Sequence, residues 1–138
     1  MEILWEVSCT NYFYADFQAK RLTIDGAYLT CSVPLASLSR ASEPRPEDWK
    51  VLGKLSEDIM LQLKRLLAEQ FMPLTPAQPE ILTPDAFPQY CRARLDGTEH
   101  GIELYSHHDP SSQGVIQQIT HFIQQNLLSQ PFQKEDHL

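Results

Sequence analysis

The densest cluster of side chains that could do chemistry is formed by His107, His108 and Asp109. Imidazole nitrogens bind transition metals and exchange protons near neutral pH, and a carboxylate can complete such a site. On a continuing strand the two histidines would point to opposite faces, which makes them poor joint ligands. Asp109 also suits the N-cap of a following helix. Because of these two points, a small enzyme or metal-binding protein centred on the three residues is the alternative prediction and not the leading one.

Other catalytic signals are weak. Three cysteines, Cys9, Cys31 and Cys91, lie far apart without a CxxC pair, which argues against a disulfide framework or a zinc finger. Each lies in an apolar, strand-like stretch, where a free thiol acts as a small hydrophobic side chain. The chain has neither a GxSxG motif nor a glycine-rich phosphate loop. The sequence therefore assigns no catalytic residue, no metal ligands and no cofactor.

The charge of the chain narrows the classes of partner. The net charge is −7 and no basic stripe is present, so nucleic-acid binding is disfavoured. An anionic membrane would repel this surface on average, and no apolar run approaches the 18 residues or so of a spanning helix. The N-terminus has Glu2 and Glu6 where a signal peptide would need positive charge. We expect a cytoplasmic protein with no nucleic-acid or membrane partner.

The last quarter of the chain is unusual because residues 110–133 contain no Asp, Glu, Lys or Arg. Apolar residues recur there at helical spacing, while seven glutamines fill much of the remainder. This pattern predicts an amphipathic helix whose polar face is neutral. Amides are cheaper to bury than ions, so such a face can be placed against another protein. Gln117, His121 and Gln124 are therefore candidate partner-binding residues.

Three further residues could take part in protein contacts. If Phe13 and Phe17 lie on a strand and face the protein core, Tyr12 and Tyr14 would point outward. Exposed tyrosines are common in interfaces. Leu61 lies opposite the main apolar stripe of the predicted long helix, where it could extend a contact surface.

These candidates must be positioned by a small set of elements. Period-two alternation up to Pro34 predicts strands, with a hairpin turn at Asp25-Gly26. A helix is expected over 46–70, with a possible break near Gly53 and Ser56, because Trp49, Leu52, Leu55, Ile59, Leu63 and Leu66 fall at helical spacing. A second hairpin follows with its turn at Asp96–Gly101, and the glutamine-rich helix ends before Pro131.

This order predicts the fold class and the domain organisation. We expect one α+β domain over 1–138, built as a two-layer sandwich in which an antiparallel sheet of five or six strands is covered by two helices. Five prolines between residues 72 and 88 predict an extended crossover segment, and residues 133–138 are expected to form a frayed tail.

The function that the sequence favours is that of a non-enzymatic protein-binding module, such as an adaptor, assembly factor, dedicated chaperone or immunity-type protein. The partner would be another protein or a second copy of the chain. In profile the chain resembles small acidic α+β proteins such as bacterial secretion chaperones and toxin-neutralising immunity proteins, although no motif matches either class.

Overall fold

The computed structural model describes residues 2–11, 15–37, 44–75, 88–105 and 110–128. Within them, one six-stranded antiparallel sheet is covered by two helices. The predicted two-layer α+β sandwich is therefore confirmed.

The strand order of the sheet is β4-β3-β2-β1-β5-β6. The first strand therefore joins the two halves of the chain by pairing with β2 on one side and with β5 on the other. The sequence could not indicate this long-range pairing. The strands are β1 (Ile3–Asn11), β2 (Asp16–Leu22), β3 (Ala27–Pro34), β4 (Trp49–Lys54), β5 (Pro88–Leu95) and β6 (Thr98–Tyr105).

The two faces of the sheet differ because successive side chains of a strand point to opposite sides. One face carries Trp5, Leu22 and Ala93, which occupy paired positions on β1, β2 and β5 and are buried in the main core. We call it the helix-side face. The opposite, open face carries Glu6 and, at the positions paired with it, Arg21 and Arg92.

Helix α1 (Glu57–Leu66) begins at Ser56, whose hydroxyl accepts a hydrogen bond from the Ile59 amide at 3.3 Å. It continues into a π-type turn, Leu67–Phe71. The Phe71 ring contacts Trp5 edge-on, with ring centroids 4.9 Å apart. The apolar stripe of this helical segment thus packs onto the centre of the helix-side face. Its fully or nearly fully buried members are Met60, Leu63, Leu67 and Phe71.

The predicted helix over 46–70 is wrong in its first half. Pro46–Asp48 forms a single 3-10 turn and Trp49–Lys54 forms the edge strand β4. Long-range contacts override the helical spacing here, since β4 pairs with β3 and Lys54 exchanges two backbone hydrogen bonds with Leu128. Leu52, expected in the buried stripe, is exposed at the bulge where this pairing shifts register.

Helix α2 (Pro110–Gln125) agrees with the sequence pattern. Its buried side includes Ile116, Ile119 and Ile123, and Val115 and Phe122 pack against the same core. The helix ends before Pro131, as predicted. A neutral polar face is therefore left on the side turned away from the core.

Two Asp-Gly turns fix the hairpins. Gly26 and Gly97 both have positive φ, 90° and 89°, which suits glycine. The second turn is also tied to the N-terminal end of the chain, because Asp96 accepts a hydrogen bond from the Glu2 amide at 2.8 Å and forms an ion pair with Lys64. These contacts give Asp96 a structural role.

Several sequence predictions lie outside the described residues. They include the tail at 133–138 and most of the crossover at 72–88, of which only its ends, up to Thr75 and from Pro88, are described. Neither helix in the described part of the chain combines the length and apolarity that crossing a bilayer requires.

Candidate partner-binding surface

The exposed side of α2 brings three predicted contact residues together. Gln117, His121 and Gln124 follow one another at steps of four and three residues, so they lie on neighbouring turns of one helical face. All three side chains are exposed. Since the helix contains no formal charge, this face offers amides and one imidazole to a partner.

A shallow groove runs beside this face. It has a volume of about 620 Å³ and lies between α2 and Gln89 at the start of β5. We call it the glutamine trough. Its lining residues are Gln89, Gln113, Gly114, Ile116, Gln117, Gln118, Thr120, His121 and Gln124.

The trough continues onto the sheet. A second depression of about 380 Å³ shares Gln89 and Thr120 with it, so that the two form one concave surface. The floor of this second depression includes Gln18, Thr30 and Ser32, which lie on the helix-side face of β2 and β3. The sheet is thus not fully covered by α2, and the uncovered part presents these polar side chains together with apolar ones such as Val7 and Tyr28.

The chemistry of the combined surface is neutral hydrogen bonding. Amides and hydroxyls can donate or accept, so they can pair with the backbone of another polypeptide without the desolvation cost of ions. Among the residues that line the two depressions, Lys20 carries the single formal charge. A polypeptide that covers the second depression would therefore need an acceptor for the Lys20 ammonium, whereas the lining of the glutamine trough itself carries no formal charge.

All three thiols have a raised pKa, which disfavours the thiolate form. Burial, and secondarily the Asp16 carboxylate, raises the pKa of the half-buried Cys9, which lines the floor of the second depression. Burial also raises the pKa of Cys31, and it raises the pKa of Cys91 to about 12. A neutral thiol is a poor nucleophile and a poor metal ligand. The thiols thus act as small packing groups.

The alternative histidine site is not tested. His107, His108 and Asp109 lie outside the described residues. In the part of the chain that the structure describes, no group of three His, Cys, Asp or Glu side chains is placed to hold a metal ion. His100 has a structural role, since its Nε2 lies 2.8 Å from the Leu74 carbonyl oxygen and its ring contacts that of Phe71 edge-on.

The remaining contact candidates lie elsewhere. Leu61 is 52% exposed on α1, as its position opposite the stripe predicted, but it does not line the trough. Tyr12 and Tyr14 are outside the described residues. Of the contact candidates that lie within the described residues, the structure therefore groups Gln117, His121 and Gln124 and separates Leu61 from them.

Sequence reasoning missed the sheet side of the surface. Gln18, Gln89 and Thr30 come from three strands and become neighbours only through the pairing of β1 with β2 and β5, and of β2 with β3. No local signal carries that pairing. The sequence offered one indication. These polar residues occupy strand positions that face the helices, and such positions are normally apolar.

Comparison with known proteins adds no relationship. No family model, curated sequence or solved structure matches this chain.

Proposed function

We propose that this chain is a non-enzymatic protein-binding module, of the adaptor, assembly-factor, dedicated-chaperone or immunity type, and that the glutamine trough is its contact surface. The same proposal places it in the cytoplasm, where free thiols such as those of Cys31 and Cys91 remain reduced.

The observation that supports this proposal most strongly is the concentration of exposed amides on one concave, uncharged surface. About a fifth of the chain is charged, yet the exposed side of α2 has no charged residue. A face that meets only water usually carries charges, because they favour solubility. Gln117, Gln118 and Gln124 are instead side chains that a partner can cover at low desolvation cost.

The proposed occupant is polypeptide. The floor of the second depression offers hydroxyl and amide groups from Gln18, Thr30 and Ser32, and the wall offers the glutamines of α2. Peptide N–H and C=O groups that lose water in such a groove need hydrogen-bond partners. The side chains of the floor and of the α2 wall can both donate and accept such bonds. The occupant is either a separate protein or a second copy of the chain.

Gln117→Glu combined with Gln124→Glu should weaken this association at least tenfold. Each substitution is nearly isosteric but places an ionised carboxylate where the partner excludes water, and a tenfold loss needs only about 1.4 kcal/mol. The fold should persist because both side chains are exposed. Capture from the native host, quantified by mass spectrometry, and sedimentation velocity of the purified protein would measure the two forms of association.

A charge-matched control separates the trough from a general charge effect. Ser111→Glu with Gln125→Glu adds the same two charges to exposed positions of α2 that do not line the trough. This control should retain the captured protein and the native oligomeric mass. If both double variants behave as the unmodified protein does, the trough is not the contact surface.

A further inference from the structure

Three arginines lie close together on the open face of the sheet, two from the C-terminal half of the chain and one from the N-terminal half. Arg92 and Arg94 lie on β5, and Arg21 lies on β2, two strands away. They line a depression of about 310 Å³ together with Glu6, Glu99, Leu4 and Trp5. We call this group the arginine cluster.

One arginine of the cluster, Arg21, is anchored by two contacts. The Nε of Arg21 lies 2.6 Å from a carboxylate oxygen of Glu6, and its guanidinium carbon lies 4.4 Å from the centroid of the Trp49 ring. A guanidinium held by a carboxylate on one side and an aromatic face on the other is fixed in position. Arg21 and Glu6 therefore form a rigid, electrically balanced pair at one wall of the depression.

The other two arginines, Arg92 and Arg94, are held less tightly by the carboxylates of the cluster. Arg94 donates to Glu99 at 3.3 Å. Arg92 lies 3.6 Å from Glu6 and 3.9 Å from Glu99, which are ion-pair distances longer than a hydrogen bond. The Arg92 and Arg94 side chains are 53% and 41% exposed. Each guanidinium has five N–H donors, so both present donors toward solvent.

The charge of the cluster defines the ligand that fits it. Three guanidinium groups face two carboxylates, Glu6 and Glu99, which leaves a surplus of one positive charge in a protein of net charge −7. One carboxylate would balance this surplus, and its two oxygens match the planar fork of a guanidinium. A phosphate dianion would exceed the surplus and would face the two existing carboxylates.

We propose that the arginine cluster is a second interaction surface, which docks an Asp or Glu side chain of an acidic partner segment between Arg92 and Arg94. The two residues are successive outward positions of β5, an interior strand, so their spacing is held by the sheet. The cluster lies on the face opposite to α2. A protein using both surfaces would bridge two polypeptides, which goes beyond binding at the glutamine trough.

The probe that tests the cluster is the blocked peptide acetyl-Gly-Glu-Gly-amide, with acetyl-Gly-Gln-Gly-amide as its uncharged match. The full chain, labelled with ¹⁵N, is titrated with each while the Nε–H resonances of its arginines are recorded. The glutamate peptide should shift the Arg92 and Arg94 signals saturably, and the shifts should decline as salt is added. The glutamine peptide and inorganic phosphate should shift them far less.

Variants make the assignment specific. Arg92→Gln with Arg94→Gln should weaken binding of the glutamate peptide at least tenfold. Lys50→Gln with Arg65→Gln removes two exposed cations outside the cluster and should change the affinity by less than about twofold, since screened surface charges act weakly at a distance. Equal responses to the glutamate and glutamine peptides, no response at all, or stronger binding of phosphate would each overturn the proposal.

Discussion

Leu63→Ala should lower the free energy of unfolding by about 2–5 kcal/mol. Leu63 is fully buried, with 0% of its surface exposed, and it belongs to the main core between α1 and the sheet. The truncation removes apolar contacts and leaves a cavity that a backbone held by six strands cannot easily fill. Urea denaturation followed by circular dichroism would measure the change, which is a large share of a typical total of about 5–15 kcal/mol.

Leu61→Ala is the matched control for this change. It lies two positions away on the same helix and is the same substitution, so the difference in helix propensity cancels. Because Leu61 is 52% exposed, its truncation should cost less than about 1 kcal/mol. Equal losses at the two positions would show that α1 is covered on both sides.

Gly26→Ala should be the second large effect. A Cβ at this position would lie 2.7 Å from the backbone oxygen of Leu55, and the φ of 90° disfavours any L side chain. Backbone atoms cannot rotate away as a flexible side chain can, so the β2–β3 turn must shift from the start of α1. The Gly26 carbonyl also accepts the Leu55 amide at 2.9 Å, a hydrogen bond that this shift would disturb.

Gly97→Ala isolates the backbone part of this cost. Gly97 has nearly the same φ, 89°, but a Cβ there meets nothing within 4 Å. It should lose about 1–2 kcal/mol from the left-handed conformation alone. Gly26→Ala should lose about 1–3 kcal/mol more, from the steric overlap. Thermal and urea unfolding of both variants would show whether Gly26→Ala is the more damaging; a smaller loss there would contradict the close approach to Leu55.

Local sequence patterns predicted the elements whose conformation is determined by residues only a few positions apart. Ile116, Ile119 and Ile123 specify α2 because a helix buries residues three and four apart. The Asp-Gly pairs predicted both hairpin turns, because glycine readily adopts the positive φ that such turns need. The second turn was placed too broadly at Asp96–Gly101, since it consists of Asp96 and Gly97 and β6 already begins at Thr98.

Elements set by distant partners were not predictable in this way. Trp49, Leu52 and Leu55 continue the spacing of α1, yet residues 49–54 form a strand. The physical reason is seen at Gly53, where a Cβ would lie 2.9 Å from the Leu128 carbonyl oxygen. Glycine at this position lets Leu128, just beyond α2, approach β4 closely. Such an approach between residues 75 positions apart has no signature in a local window.

One part of the candidate surface was predictable from a local pattern, and the other part depends on long-range pairing. The α2 wall of the glutamine trough followed from the absence of charge over 110–133. The Gln18 and Gln89 side of the surface depends on the pairing of β1 with β2 and β5. The arginine cluster depends on the same pairing, which places Arg21 and Arg92 on either side of Glu6 although 71 positions separate the two arginines.

Contact at the glutamine trough is tested most directly by the side-chain and backbone amide resonances of the ¹⁵N-labelled protein. They are recorded for the free protein and with its captured partner, or across a dilution series if the protein self-associates. Gln117 and Gln124 should show the largest changes on association, while the nearby Gln125, which does not line the trough, should change little. Unchanged Gln117 and Gln124 signals, with the shifts instead gathered around Leu61 or on the open face, would contradict a partner site on α2.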